Sequence, residues 1–273
     1  FSTGANAIAV QEYFFSCLSK LILNNKFDPR NEKILIIGAG NIGGGIKKVL
    51  DHFGFKSDTF DPFRASSLKS LDNLSAHKLI TLHVPYTTNL EHPTRNLVDA
   101  NFLSKLCKDT VIINTSRGGV VSEKDFLHSK DISIISDVFE NEPDISPKFC
   151  EKNEYFTPHI AGHSQFCRYA MTKMAFYNVA NFLNIEVEEP QSILDNKEES
   201  FSKDTQNDFK KFLFPVSLIL KTYDFTLDSF EPNLFKKIRD DYNNRIGFSQ
   251  VRIKGCIDPK FKKSLEILGF KVI

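Results

Sequence analysis

Residues 33–43 read Lys-Ile-Leu-Ile-Ile-Gly-Ala-Gly-Asn-Ile-Gly. The apolar run at their start has strand length, and residues 42–53 continue in a helical pattern. A glycine turn between a strand and a helix is a dinucleotide-binding fingerprint. Gly38 permits the tight turn, Gly40 lets a pyrophosphate approach the backbone, and Gly43 allows close helix–strand packing. The phosphates are expected over the helix start at Asn41 and Ile42, where free N–H groups and the helix dipole favour negative charge. A second strand, 56–60, ends at Asp61, 23 residues after Gly38. That spacing suits an acid that accepts the adenosine ribose hydroxyls. It would repel a 2′-phosphate, so NAD is the cofactor expected.

Outward from this unit the alternation continues. Strands are expected at 79–84, 110–114, 132–138 and 155–157, with helices at 98–106, 122–127 and 166–183. Short apolar runs separated by helices imply a parallel sheet buried on both faces, a Rossmann-type doubly wound α/β fold. Before the glycine unit, residues 6–23 place Ile8, Val10, Phe14, Phe15, Leu18, Leu21 and Ile22 mostly on one side of a helix, and 25–31 reads as a turn. A polar stretch at 186–208, containing Pro190, reads as a boundary or linker. The remainder has helix-like 230–242 and 261–268 and strand-like 249–254, a small α+β unit. It is too small to stand comfortably alone, so its Phe and Leu residues are expected to share a surface with another subunit.

Composition bounds the class. Of 273 residues 41% are hydrophobic, which is enough to bury a core, and the aromatic content is lopsided, with 26 Phe and no Trp. A net charge of +1 gives no electrostatic case for nucleic acid or a membrane surface. No run approaches the roughly 20 apolar residues that span a bilayer. Five unpaired cysteines suit a reducing, cytoplasmic setting. The start at Phe1, without Met, reads as a piece of something longer.

In doubly wound sheets ligands bind where the strands end. Arg117 follows the strand 110–114, Glu142 follows 132–138 and His159 follows 155–157. Oxidising an alcohol by hydride transfer needs a base for the hydroxyl proton and a fixed cation for the substrate. His159 titrates in the right range, Glu142 can fix its tautomer, and Arg117 offers a fork for a carboxylate. Asp137 and His83 are expected on the nicotinamide side of the pocket. His163 and Arg168, just beyond the His159 loop, can reach a substrate. No metal-ligand spacing is present.

At these motifs, Gly38–Gly43, residues 114–119 and 137–143, and Pro158-His159, the chain resembles the D-isomer-specific 2-hydroxyacid dehydrogenases. The resemblance implies Arg117 as substrate-binding, Glu142 as partner and His159 as acid/base, with Asp61, Asp137 and Gly162 on the cofactor. The tail, at 235–242 and 265–270, resembles the C-terminal dimerisation domain of one branch of the family. That branch acts on a phosphorylated four-carbon 2-hydroxy acid. Its members usually carry Tyr at the position of His163, where it contacts substrate. The implied organisation is a crossover helix left from a substrate domain at 1–24 and an NAD-binding domain at 25–165. A helix at 166–189 would return to the substrate domain, and a homodimerising unit would occupy 190–273. Two readings stay open beside this one: another enzyme of the family, and a nucleotide-sensing scaffold without turnover.

Overall fold

Alternate residues of the apolar runs serve opposite faces of one sheet. A computed structural model describes residues 4, 6–89, 91–188, 194–243 and 245–273. Its main sheet contains β1 (Lys33–Ile37), β2 (Lys56–Phe60), β3 (Leu79–Leu82), β4 (Thr110–Asn114), β5 (Ile132–Ser136) and β6 (Tyr155–Phe156). The strands are all parallel, in the order β2-β1-β3-β4-β5-β6. Ile34 and Ile36 enter one core with Val111 and Ile113, whereas Leu35 and Ile37 enter a second with Ile80 and Ile112. A strand buried on both faces has no polar side, hence the unbroken apolar runs. The order reverses between β1 and β3, which opens the crevice that such sheets use for ligands.

The first face is covered by α1 (Ala7–Leu23) and α2 (Asn41–His52). The second carries α3 (Ala100–Ser104), α4 (Glu123–His128) and α5 (Pro147–Lys152). α3 is shorter than expected: Val98 pairs with Val121 instead, and the Asp99 side chain caps the helix by accepting the Phe102 N–H. Such a cap satisfies an otherwise unpaired amide and marks where the helix begins. α1 departs from a one-sided pattern. Phe14, Phe15 and Leu18 are buried, but so are Glu12, Ser16 and Ser19, because the helix is packed between the sheet and the tail. Ile8, expected on the apolar side, is exposed.

α6 (Gln165–Phe182) follows β6. The expected linker is a correction: within 186–208 the chain forms β7 (Lys197–Ser200) and begins α7 (Lys203–Phe212). Their polar composition misleads because most side chains face outward. Inward-facing Glu199 is paired with Lys197 and Lys221, and Phe209 anchors the helix. Pro190 and the boundary beside it lie outside the described residues. α8 (Val216–Thr222), α9 (Phe235–Asp240), β8 (Val251–Lys254), α10 (Pro259–Ile267) and β9 (Lys271–Val272) complete the tail, whose parallel sheet runs β7-β8-β9.

The tail's phenylalanines need no second subunit for burial. Phe214 packs on Phe53, Phe55 and Phe15, Phe225 packs on Tyr13, and both belong to the core of the first sheet face. Among the described residues no helix is long and apolar enough to cross a membrane.

Candidate active site

The glycine loop meets the end of β3 at the crevice. Gly38 has φ +94°, and a Cβ there would lie 2.3 Å from the His83 carbonyl oxygen, so only glycine fits. A Cβ on Gly43 would lie 1.9 Å from the Gly38 carbonyl oxygen, whereas one on Gly40 would meet nothing within 4 Å. The loop therefore packs tightly on two sides and leaves open space at Gly40, the cradle a pyrophosphate needs. Asp61 faces this loop: its carboxylate accepts the Ala39 N–H at 2.8 Å and the Phe63 N–H at 3.0 Å. Lone pairs remain on both oxygens for hydroxyl donors. Gly38, Gly40, Asp61, His83 and Pro85 line one cleft of about 210 Å³. These residues fit a dinucleotide. Asn41 is exposed at the start of α2, while Ile42 is half-buried against the core.

Pro85 also borders a second cleft of about 500 Å³, where Arg117, Glu142 and His159 meet Tyr86 and Gly118. The first three come from different strand ends, and the fold brings them together. Glu142 is held from both sides: Oε1 accepts the Phe139 N–H at 2.9 Å, and Oε2 lies 2.7 Å from His159 Nδ1. With Nδ1–H donated to the carboxylate, Nε2 is the ring nitrogen left to act as a base. His159 has φ +58°, a strained conformation for a side-chain-bearing residue that often marks a functional position. Arg117 is exposed, and its Nη1 donates to the Ser116 carbonyl at 2.6 Å, with no carboxylate partner among the described residues.

Asp137 occupies a different place from the pocket wall. Only 2% exposed, it lies under the His159 loop and accepts the Thr157 hydroxyl (2.7 Å) and the Ile160 and Ala161 N–H groups (2.8 and 2.9 Å). Burial pushes its pKa up to about 6 against those donors. His83 is bracketed by the Thr81 and Thr115 hydroxyls, at 2.9 and 3.3 Å, and burial lowers it to about 3, so it is neutral. A Cβ on Gly162 would approach Asn6 of the segment before α1, which places this glycine beside that segment. His163 is half-buried beside Tyr242, with ring centroids 6.3 Å apart, and burial with nearby arginines lowers it to about 4. Arg168 is exposed on the first turn of α6.

Three contributors went unread in the sequence. Tyr86 borders the cleft, and Gly118 lets two strand-end loops touch, since a Cβ there would lie 1.7 Å from the Phe139 carbonyl oxygen. Arg239 of α9 lies with its Nε 3.5 Å from the His159 carbonyl. Nothing local announces Arg239, because it stands 80 residues from His159.

Residues 20–161 match the model of the D-isomer specific 2-hydroxyacid dehydrogenase, NAD binding domain. Among curated relatives, the erythronate-4-phosphate dehydrogenase of Wigglesworthia glossinidia brevipalpis is 32% identical, across 99% of this chain and 75% of its own length. That of Hahella chejuensis is 35% identical, across 67% of this chain and 50% of its own length. That of Coxiella burnetii is 28% identical across 99% and 76%. Two solved structures share the fold. One is the Rhodotorula graminis D-mandelate dehydrogenase, with TM-score 0.58 and 21% identity over 71% of this chain and 68% of that one. The other is the Staphylococcus aureus NAD-dependent formate dehydrogenase, with TM-score 0.58 and 22% identity over 70% and 66%.

Proposed function

The chain belongs to the D-isomer-specific 2-hydroxyacid dehydrogenase family, and from that premise we propose that it serves the oxidation of 4-phospho-D-erythronate to 2-oxo-3-hydroxy-4-phosphobutanoate, a step in vitamin B6 biosynthesis. NAD-dependent oxidation of a small 2-hydroxy acid is the activity of the family. The convergence of Arg117, Glu142 and His159 on one cleft, next to the glycine-loop cleft, carries the reading for this chain. NAD, when bound, supplies the acceptor for the hydride that leaves C2. Gly38, Gly40, Gly43 and Asp61 would hold it.

His159 takes the C2 hydroxyl proton on Nε2, and Glu142 stabilises the imidazolium through Nδ1. Arg117 holds the substrate carboxylate and polarises the carbonyl as it forms. Asp137 sets the height and orientation of the His159 loop from below. His163, four residues beyond His159, is assigned a hydrogen bond to the substrate in this reading. The choice of 4-phosphoerythronate rests on the curated relatives, which carry that name and align with the tail as well as the NAD-binding domain.

The same reading places the protein in the cytoplasm as a homodimer joined through residues 190–273. It makes 1–24 and 166–189 the connections to a substrate domain. In support, α6 buries only Cys167 and Ala180, while Phe176, Val179 and Phe182 are exposed, as for a helix that meets another body.

The test is NADH formation with 4-phosphoerythronate, comparing this chain with a version extended upstream of Phe1. Turnover in the extended form is expected; its absence there overturns the assignment. In that form His159→Asn is expected to lower kcat about 10²–10⁴-fold while NAD affinity holds, the range ascribed to a general base. Activity that survives the substitution removes His159 from this role.

A further inference from the structure

α9 delivers a cation to the rear of the site from a distant part of the chain. Phe235, its first residue, is buried edge-on against Phe139 (ring centroids 5.7 Å apart, 88° between planes), whose own N–H holds Glu142. Four residues on, Arg239 shares that helix face. Its side chain reaches the His159 carbonyl with Nε at 3.5 Å. A cleft of about 260 Å³ opens there, lined by Glu142, Pro143, Phe235, Lys236, Arg239 and Asp240.

In this cleft Lys236 and Arg239 stand with Glu142 and Asp240. Both carboxylates are engaged, Glu142 with His159 and Asp240 with Lys236. Among the described residues no carboxylate pairs with half-buried Arg239. His163 lies in the fields of Arg239, Arg168 and buried Arg245, which add to burial in lowering it to about 4. A half-buried guanidinium beside a neutral imidazole and further cations favours a multiply charged anion. Arg117 borders one cleft and Arg239 the other, and the two clefts share Glu142. A guanidinium thus stands in each of two adjoining clefts, an arrangement that suits a substrate with an anionic group at each end.

We propose that Arg239, with His163 beside it, receives the phosphate of the substrate while Arg117 holds the carboxylate. This rests on the reading of the substrate as a phosphorylated 2-hydroxy acid. It makes the tail part of the site and Arg239 a specificity-determining residue. A guanidinium fork can bind two phosphate oxygens at once, and a neutral imidazole can donate one more hydrogen bond.

The experiment compares kcat/KM for 4-phosphoerythronate and for unphosphorylated erythronate in the upstream-extended protein, its Arg239→Gln variant and its Arg239→Lys variant. Arg239→Gln is expected to lose about tenfold to a hundredfold on the phosphorylated substrate, mainly through KM, the scale of one charge-assisted contact. The loss on erythronate, which reports only the Arg239 contact with the His159 carbonyl, should be clearly smaller than that on the phosphorylated substrate, and Arg239→Lys should recover part of the difference. Inhibition by inorganic phosphate should weaken in step, and unchanged NAD affinity reports an intact fold. Equal losses on both substrates, or no loss on either, overturn the inference while leaving the functional reading in place. A wild-type protein inactive on 4-phosphoerythronate overturns that reading, and the inference with it.

Discussion

Asp137 accepts three hydrogen bonds on two buried oxygens and thereby fixes the segment that carries His159. Its pKa, pushed by burial from the ordinary 3.8 to about 6, has a consequence for stability. Through that window the folded state binds more protons than the unfolded chain, so stability falls as pH rises from about 4 to about 6. Asp137→Asn should flatten this part of the pH–stability curve, as denaturant titrations at several pH values will record. It should also cost on the order of 1–3 kcal/mol, because the amide turns an N–H group against a donor that now has no acceptor. A slope unchanged in the variant would remove Asp137 as its source. The strand-end aspartate was visible in the sequence, but its direction was not. Side chains at such ends alternate between the pocket and the interior, and local pattern does not choose.

At the scale of elements, the site depends on how closely neighbouring strand-end loops approach. The loop after β4 carries Arg117 and the loop after β5 carries Glu142. They touch at Gly118, where a Cβ would lie 1.7 Å from the Phe139 carbonyl oxygen. Gly118→Ala must push the loops apart. A stability loss of about 1–3 kcal/mol, typical of overpacking, is expected with a larger proportional loss of turnover, because Phe139 also holds Glu142. Thermal unfolding beside steady-state kinetics will separate the two effects; full activity would show that the loops move independently of the reacting groups. The strands and the glycine loop were legible because each depends on residues adjacent in the chain. The strand within 186–208 was not, since charged side chains on an exposed strand read like those of a linker.

At the scale of the molecule, the tail, α1 and the His159 loop are joined through Arg245. Its guanidinium donates to the Ala9 carbonyl at 2.6 Å and the His163 carbonyl at 3.2 Å, lies 3.5 Å from the Glu12 carboxylate and covers the Tyr223 ring at 4.3 Å. Arg245→Met leaves Glu12 as an uncompensated buried charge, with an expected cost of about 3–5 kcal/mol. Adding Glu12→Gln should restore part of this, since the Gln oxygen can still accept the Phe248 N–H that Glu12 now holds. Strict additivity of the two losses in chemical denaturation would show that the pair does not interact. A second chain of contacts runs from Tyr13 through Thr157 to Asp137, each link 2.7 Å, so α1 supports the His159 loop directly.

The glycine fingerprint, the parallel sheet and the positions of Arg117, Glu142 and His159 could all be read from the chain alone. Strand periodicity and turn chemistry are local, and in a doubly wound sheet the topology obliges strand ends to share one edge. The burial of α1 on nearly every side, the descent of Asp137 beneath the loop and the arrival of Arg239 behind His159 were settled only by tertiary packing. Each depends on which distant surfaces meet, and that is decided by the joint burial of the tail's phenylalanines against the sheet rather than by any neighbour in sequence.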